Sequence, residues 1–314
     1  MLSFNFFWKS SLWQALRVKF PFTLLGKAYW RHINGKEERE IERRCNRLNK
    51  KRPFLSCRPN AYGFGNIYIS LTTYPARIES AYYAIHSILD QTTKPNRIIL
   101  TLAKEEFPQG EESLPQNILS LKEKGLIILW ASENLRPHNK YFYSMQKYPS
   151  ALIITIDDDI LYPRDTIEKL IKCYKKFPHA ISALHTDKFT FENNRLCSYS
   201  KAIINYKKEI YKPKSDLLAE GFAGILYPPS ILPQETFRKD LITKYAPIAD
   251  DIWLKCIELK NNIPVVRAAR NYNITVLTDF QESALFLQNR EKQLNDKQLE
   301  ETQSALKIDI RSNE

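Results

Sequence analysis

Ordered alternation of short apolar runs and amphipathic stretches begins at Asn66. Ile67-Tyr68-Ile69-Ser70-Leu71 reads as a β-branched strand, closed by Thr72-Thr73-Tyr74-Pro75, and helical spacing of apolar residues follows over about 77–89. A second strand is expected at 97–102, then a helix near 114–123 stopped by Gly125, then a third strand at 126–130. Residues 151–156 form an uninterrupted apolar run, the pattern of a strand covered on both faces. The next helix opens at Pro163, carries Asp165 in its first turn and runs to about Lys176. Strand and helix alternating at this spacing predict an α/β fold with a mainly parallel sheet flanked by helices.

The second half is less regular. Residues 180–184 are a candidate fifth strand, and 196–230 mix short strands, tyrosines and prolines without helical period. An amphipathic helix is expected from about 249–251 to 260, a strand at 263–267, and a polar helix on the surface within 281–310. Three regions result: an extension over 1–60, an α/β domain over 61–280, and a polar carboxyl-terminal helix over 281–314.

Composition narrows the class. With 43% hydrophobic and 26% charged residues in 314, the chain is globular, which excludes wholesale disorder, collagen and coiled coil. Five irregularly spaced cysteines without a CxxC pair point to a reducing compartment, and to neither a disulfide framework nor a cysteine zinc site. The net charge of +12 is concentrated at one end. Residues 1–60 hold 14 Lys/Arg against 4 Asp/Glu, so the other 254 residues carry 33 against 31. Residues 1–31 contain no acid, five basic residues and Trp8, Trp13 and Trp30. Charges interrupt their apolar runs too often for a bilayer span, and no signal-peptide cleavage site follows. Basic charge beside tryptophan and phenylalanine favours an anionic membrane surface. Packing of those aromatics on the body is the competing reading. Residues 36–58 read as a charged surface helix and a connector.

Chemistry is densest at Ile156-Asp157-Asp158-Asp159-Ile160. Three consecutive carboxylates repel one another, and here they follow a buried strand, at the sheet edge where open α/β sheets bind ligands. On an extended backbone Asp157 and Asp159 would face one side, where such a pair can hold a hard divalent cation. A polar turn with one aspartate capping the next helix is the bland alternative, although capping needs one aspartate and not three. The block resembles the DxD motif of GT-A-fold glycosyltransferases. With SLTTYPARI at 70–78, QTTKPNRIILTLAKEEFP at 91–108, LPQNILSLKEKGLIILWA at 114–131 and IDDDILYP at 156–163, the stretch from Ile67 to Val276 is similar to bacterial enzymes related to glycosyltransferase family 2.

That resemblance implies a nucleotide-diphosphate-sugar donor, with its base near the first strand and its diphosphate on Mn²⁺ or Mg²⁺. Thr72, Thr73 and Arg77 would lie near the nucleotide, Asp157 and Asp158 on the donor side, and Asp159 with Asp157 at the metal. No acid matching the family's base contact stands at the end of the second strand, Leu102–Glu106. Lys140, in Arg136-Pro137-His138-Asn139-Lys140, would neutralise a phosphate, with a solvated lysine as the plain reading and His138 beside it a polar loop residue; His185, beyond the fifth strand at the same edge of the sheet, would be a third metal or sugar contact.

Ala249-Asp250-Asp251-Ile252-Trp253-Leu254 opens the later helix, and either aspartate could cap it. Transfer to a hydroxyl also needs a carboxylate to take its proton. The segment is similar to the "ED" element of family 2 enzymes, whose second acid is the base of an inverting reaction. By position that gives Asp251 the base's role, although Asp in the Glu place leaves Asp250 as an alternative. Gly221 and Gly224, three apart in Glu220–Pro229, would border the acceptor or simply make a tight turn.

The expectation is a metal-dependent, inverting glycosyltransferase acting on a glycan or lipid-linked acceptor, cytoplasmic and peripheral on the inner face of the cytoplasmic membrane. A nucleotidyltransferase is the rival enzyme, although the turn after the first strand lacks the glycine-rich basic loop it usually needs. A nucleic-acid-binding module is disfavoured, because an acidic rim on a near-neutral body would repel a phosphate backbone.

Overall fold

Seven strands form one sheet in the computed structural model, which describes residues 39–51, 56–58, 65–192, 195–277 and 294–308. The aromatic, basic stretch 1–31 and its expected membrane contact lie outside these residues. The strands are β1 (Ile67–Thr72), β2 (Arg97–Ala103), β3 (Leu126–Ala131), β4 (Leu152–Thr155), β5 (Ile181–Ala183), β6 (Ile225–Tyr227) and β7 (Val265–Arg267). Their spatial order is β7-β5-β6-β4-β1-β2-β3. All neighbours pair in parallel except β6, which runs antiparallel to both β4 and β5. This is a mainly parallel, Rossmann-like sheet of GT-A type, with its carboxyl rim formed by the ends of β1, β4 and β5.

The helices are α1 (residues 39–51), α2 (Ile78–Leu89), α3 (Asn139–Lys147), α4 (Thr166–Lys176), α5 (Lys239–Tyr245), α6 (Asp250–Lys260) and α7 (Leu294–Ala305). Ile67, Ile69, Leu71, Ile98, Leu100 and Ile154 pack with Ile85, Ile88 and Leu170 in one core. The second core joins Ile181, Ile225 and Val265 to Trp253, Cys256 and Ile257 of α6 and to Leu299 of α7. β4 is buried at every position, as its unbroken apolar run requires.

Three expectations change. Residues 114–123 make one α-helical turn, Gln116–Leu119, and a 3₁₀ turn at Lys122–Lys124. Asn117 Oδ1 accepts from the Ile118 N–H and Ser120 Oγ donates to the Asn117 carbonyl, side-chain bonds that compete with a continuing helix. Gly125 still ends the segment in the left-handed region, φ +103°, and a Cβ there would stand 2.6 Å from Cys57 Cβ. α7 is packed and not merely superficial: Leu299 is buried, and Gln298 and Gln303 accept from the backbone N–H groups of Ile248 and Leu196. α1 also docks on the body. Leu48 meets Leu161 and Leu277, and Arg47 and Lys51 pair with Asp90. No helix among the described residues is long and apolar enough to cross a membrane.

Candidate functional site

β4 stops at Thr155, and the chain turns through Asp158 and Asp159 before the short strand Ile160–Leu161. The two-residue alternation of an extended chain therefore does not govern the three aspartates, and they divide between two cations. Asp158 and Asp159 both reach Arg77 Nη1, at 3.3 and 3.0 Å. Asp158 also accepts a 2.5 Å hydrogen bond from Thr73 Oγ1. Arg77 stands at the end of the 3₁₀ turn that follows β1, so the turns after β1 and β4 are fastened to each other. Its Nε and Nη2 are buried without a hydrogen-bond partner among the described residues, and the ring of Tyr74 lies 5.8 Å from the guanidinium carbon. Burial works against the arginine's charge, but Asp158 and Asp159 outweigh it and hold its pKa up. Burial and the neighbouring Asp159 push Asp158 up to about 7, opposed by Arg77 and Thr73. Thr72, the last residue of β1, donates instead to the Thr101 carbonyl.

Asp157 faces the other way. Lys140 Nζ lies 3.0 Å from Asp157 Oδ1 and 2.8 Å from Asp250 Oδ2. Residues more than ninety positions apart in sequence thus share one buried ammonium. The expected loop around Lys140 is the first turn of α3, which delivers the side chain under the rim. His138 is wholly buried, bonded through its ring nitrogens to Tyr141 Oη and the Ala246 carbonyl, and so serves as a brace. Asp250 and Asp251 begin α6 without a side-chain capping bond. Burial opposes ionisation of Asp250, yet Lys140, then His138, hold it below its ordinary value. Among the described residues no such cation stands at bonding distance from Asp251. Burial first, then Asp250, raise it to about 8 despite Lys140, with Asp157 adding to the rise.

Gly221 makes this approach possible. Its N–H donates to Asp251 Oδ2 at 3.2 Å, and a Cβ there would stand 2.7 Å from Lys140 Nζ and 2.9 Å from Asp251 Oδ1. The close approach foreseen for this glycine is therefore made to the charged cluster itself. Tyr162 is a linchpin that no local pattern singles out. Its hydroxyl accepts from the Asp157 N–H at 2.8 Å and donates to the Phe222 carbonyl at 2.9 Å, tying the two loops together. The His185 ring packs on Phe222, centroids 4.9 Å apart, and its Nδ1 is 3.9 Å from Asp187.

Asp157, Asp159 and their neighbours are hard oxygen donors of the type Mg²⁺ and Mn²⁺ take. Their carboxylates are drawn apart, however, towards Lys140 and Arg77. Among the described residues no group of three or more His, Cys, Asp or Glu side chains is arranged to hold a metal ion. The side chains as they stand do not make a metal site.

No family model matches the chain, and no curated protein matches it. Solved structures do. A mannosyltransferase from Pyrobaculum calidifontis, in complex with GDP-Man and Mn²⁺, is 12% identical over 76% of this chain and 64% of its own, with a TM-score of 0.40. S. aureus TarS 1-349 is 12% identical over 66% of this chain and 59% of its own, TM-score 0.41. A 4-diphosphocytidyl-2C-methyl-D-erythritol synthase from Anaerococcus prevotii is 12% identical over 71% of this chain and 99% of its own, TM-score 0.42. The chain thus spans less than two thirds of the first two. Likeness of this degree concerns architecture; the chemistry has to come from the chain's own side chains.

Proposed function

We propose that the chain transfers a sugar from a nucleotide-diphosphate donor to a hydroxyl of a glycan or lipid-linked acceptor. One observation carries this reading: Asp157 and Asp250 meet on Lys140 at the carboxyl rim, beside a carboxyl, Asp251, raised to about 8. A carboxyl titrating near neutrality is suited to moving a proton in a transition state. In the proposed step the acceptor O–H bond breaks and its proton passes to Asp251. The acceptor oxygen bonds to the anomeric carbon, and the bond to the diphosphate breaks with its electron pair on the leaving group. Attack from the face opposite the diphosphate inverts the centre. Asp250, held ionised by Lys140, keeps Asp251 basic. The donor is assigned to the turn after β1, with Thr72, Thr73 and Arg77, and to Asp157–Asp159.

The Mn²⁺ or Mg²⁺ implied by the sequence resemblance would need most of its ligands from outside the protein, and the role assigned to His185 is the least supported. Attachment to an anionic membrane surface through residues 1–31 belongs to the same proposal, as does peripheral placement on the cytoplasmic face.

The test is a panel of nucleotide sugars incubated with the full chain, with manganese, with magnesium and with EDTA. Release of nucleoside diphosphate, by slow hydrolysis or on an added glycan acceptor, supports sugar transfer. The second reading is nucleotidyl transfer to a sugar phosphate, for which the same rim of carboxylates beside Lys140 and Arg77 would serve. It predicts pyrophosphate release from a nucleoside triphosphate instead. Neither product from any donor would overturn both.

A further inference from the structure

Exposed large hydrophobic side chains among the described residues are Phe191, Ile203 and Ile204, and all three lie in the segment that leaves the end of β5. Ile203 and Ile204 are adjacent and 48% and 43% exposed. Two neighbouring apolar residues cannot both face outward from a regular strand. Here they sit on a turn, ended by Asn205 in the left-handed region at φ +51°. The turn is firmly held. Ile203 exchanges both backbone hydrogen bonds with Lys188, and the Tyr206 N–H donates to the Thr186 carbonyl. Beneath it the buried guanidinium of Arg267 donates to the carbonyls of Thr186, Tyr206 and Ala269 and to Asn205 Oδ1. The isoleucine pair is thus presented by a braced platform.

Charge along the loop is mostly basic. Residues 199–214 contain five lysines and one acid, Glu209. Lys214 pairs with Glu209, Lys188 pairs with Glu209 and Asp216, and Lys208 and Lys212 are exposed. We propose that this loop seats the protein on an anionic lipid surface, with Ile203 and Ile204 entering the headgroup boundary and Lys208 and Lys212 resting at phosphate level. Apolar tips of this size gain by leaving water, and long lysine stems let the ammonium groups stay with the lipid headgroups. The lysine excess of residues 199–214 argues for anionic lipid over a neutral protein groove. The loop also adjoins the candidate site: the Glu220 N–H donates to the His185 carbonyl, one residue before the strand Thr186–Lys188 that pairs with Ile203. The proposal stands on this surface and is independent of the sugar-transfer reading.

The test is sedimentation of the full chain with vesicles of phosphatidylcholine and phosphatidylglycerol, 1:1, and of phosphatidylcholine alone. Hydrogen exchange is measured over residues 199–212 with and without vesicles. Ile203→Ser with Ile204→Ser, and separately Lys208→Glu with Lys212→Glu, change only exposed side chains and leave residues 1–31 intact. Each pair is expected to weaken partition onto the 1:1 vesicles by about tenfold or more, and wild-type exchange over 199–212 is expected to slow when those vesicles are present. Unchanged exchange there, or undiminished binding by the serine variant, overturns the proposal. If only the lysine variant loses binding, and soluble heparin competes fully with vesicles, the loop is a polyanion patch and not a lipid seat.

Discussion

Lys140 is the residue whose removal speaks most clearly about how the rim is held. Its side chain is 8% exposed, and its ammonium stands 3.0 Å from Asp157 and 2.8 Å from Asp250. Lys140→Met keeps the length and apolar stem while deleting the charge, and it leaves three buried or half-buried acids facing one another. Removing one partner of a buried ion pair costs about 3–5 kcal/mol, which at roughly 2–4 °C per kcal/mol lowers Tm by about 10 °C. The pH dependence identifies the cause. Asp250 is held below its ordinary 3.8, so its ionised form stabilises the fold above that value and the gain is lost as pH falls through the lower, folded value. Lys140 is held above 10.5, so its contribution is complete below that and disappears only as pH rises through the higher folded value. The deficit of Lys140→Met should therefore be largest between about pH 5 and 10 and shrink towards pH 3, as the stranded carboxyls take up protons. Urea unfolding of wild type and variant at pH 7.5 and pH 3.5 measures it. Adding Asp250→Asn to Lys140→Met should recover a large part of the loss, since the charge left unpaired is then gone. A loss under about 1 kcal/mol at pH 7.5, or an equal loss at both pH values, would refute the reasoning.

Three further outcomes are expected. The kcat/KM for donor turnover should rise with pH through about 8 as Asp251 ionises, and a flat profile from pH 6 to 9 would count against its role. Gly221→Ala should leave folding cooperative by circular dichroism but cut turnover by at least about tenfold, because its Cβ collides with Lys140 Nζ and Asp251 Oδ1. Gly125→Ala should destabilise by about 1–3 kcal/mol in chemical denaturation with kcat unchanged, through its φ of +103° and the clash with Cys57, 2.6 Å from the added Cβ.

Much of the fold was legible because strands covered on both faces must be apolar throughout. The runs at 67–71, 97–102, 126–130 and 151–156 became β1 to β4 within a residue or two. The insertion of antiparallel β6 between β4 and β5 was not legible, since strand order is a long-range property that no local period encodes. α7 was read as superficial because its buried contacts use glutamines, whose polarity conceals their service to backbone N–H groups. At the site, the two acidic groups stood out as local excesses of charge. Lys140 is legible as a candidate for a phosphate, but its pairing is not, because only the first turn of α3 carries it between Asp157 and Asp250. Tyr162 was hidden for the same reason: its hydroxyl acts on atoms of residues 157 and 222.

Asp251→Asn tests the central claim most directly. Asparagine keeps the shape and removes a buried carboxyl whose pKa is raised, a group that favours the folded state less and less as pH climbs from about 4 to 8. The variant should therefore be at least as stable as wild type at pH 8, while nucleoside diphosphate release from the accepted nucleotide sugar falls about 10²–10⁴-fold with donor affinity retained. Wild-type turnover by a folded Asp251→Asn protein would contradict the account.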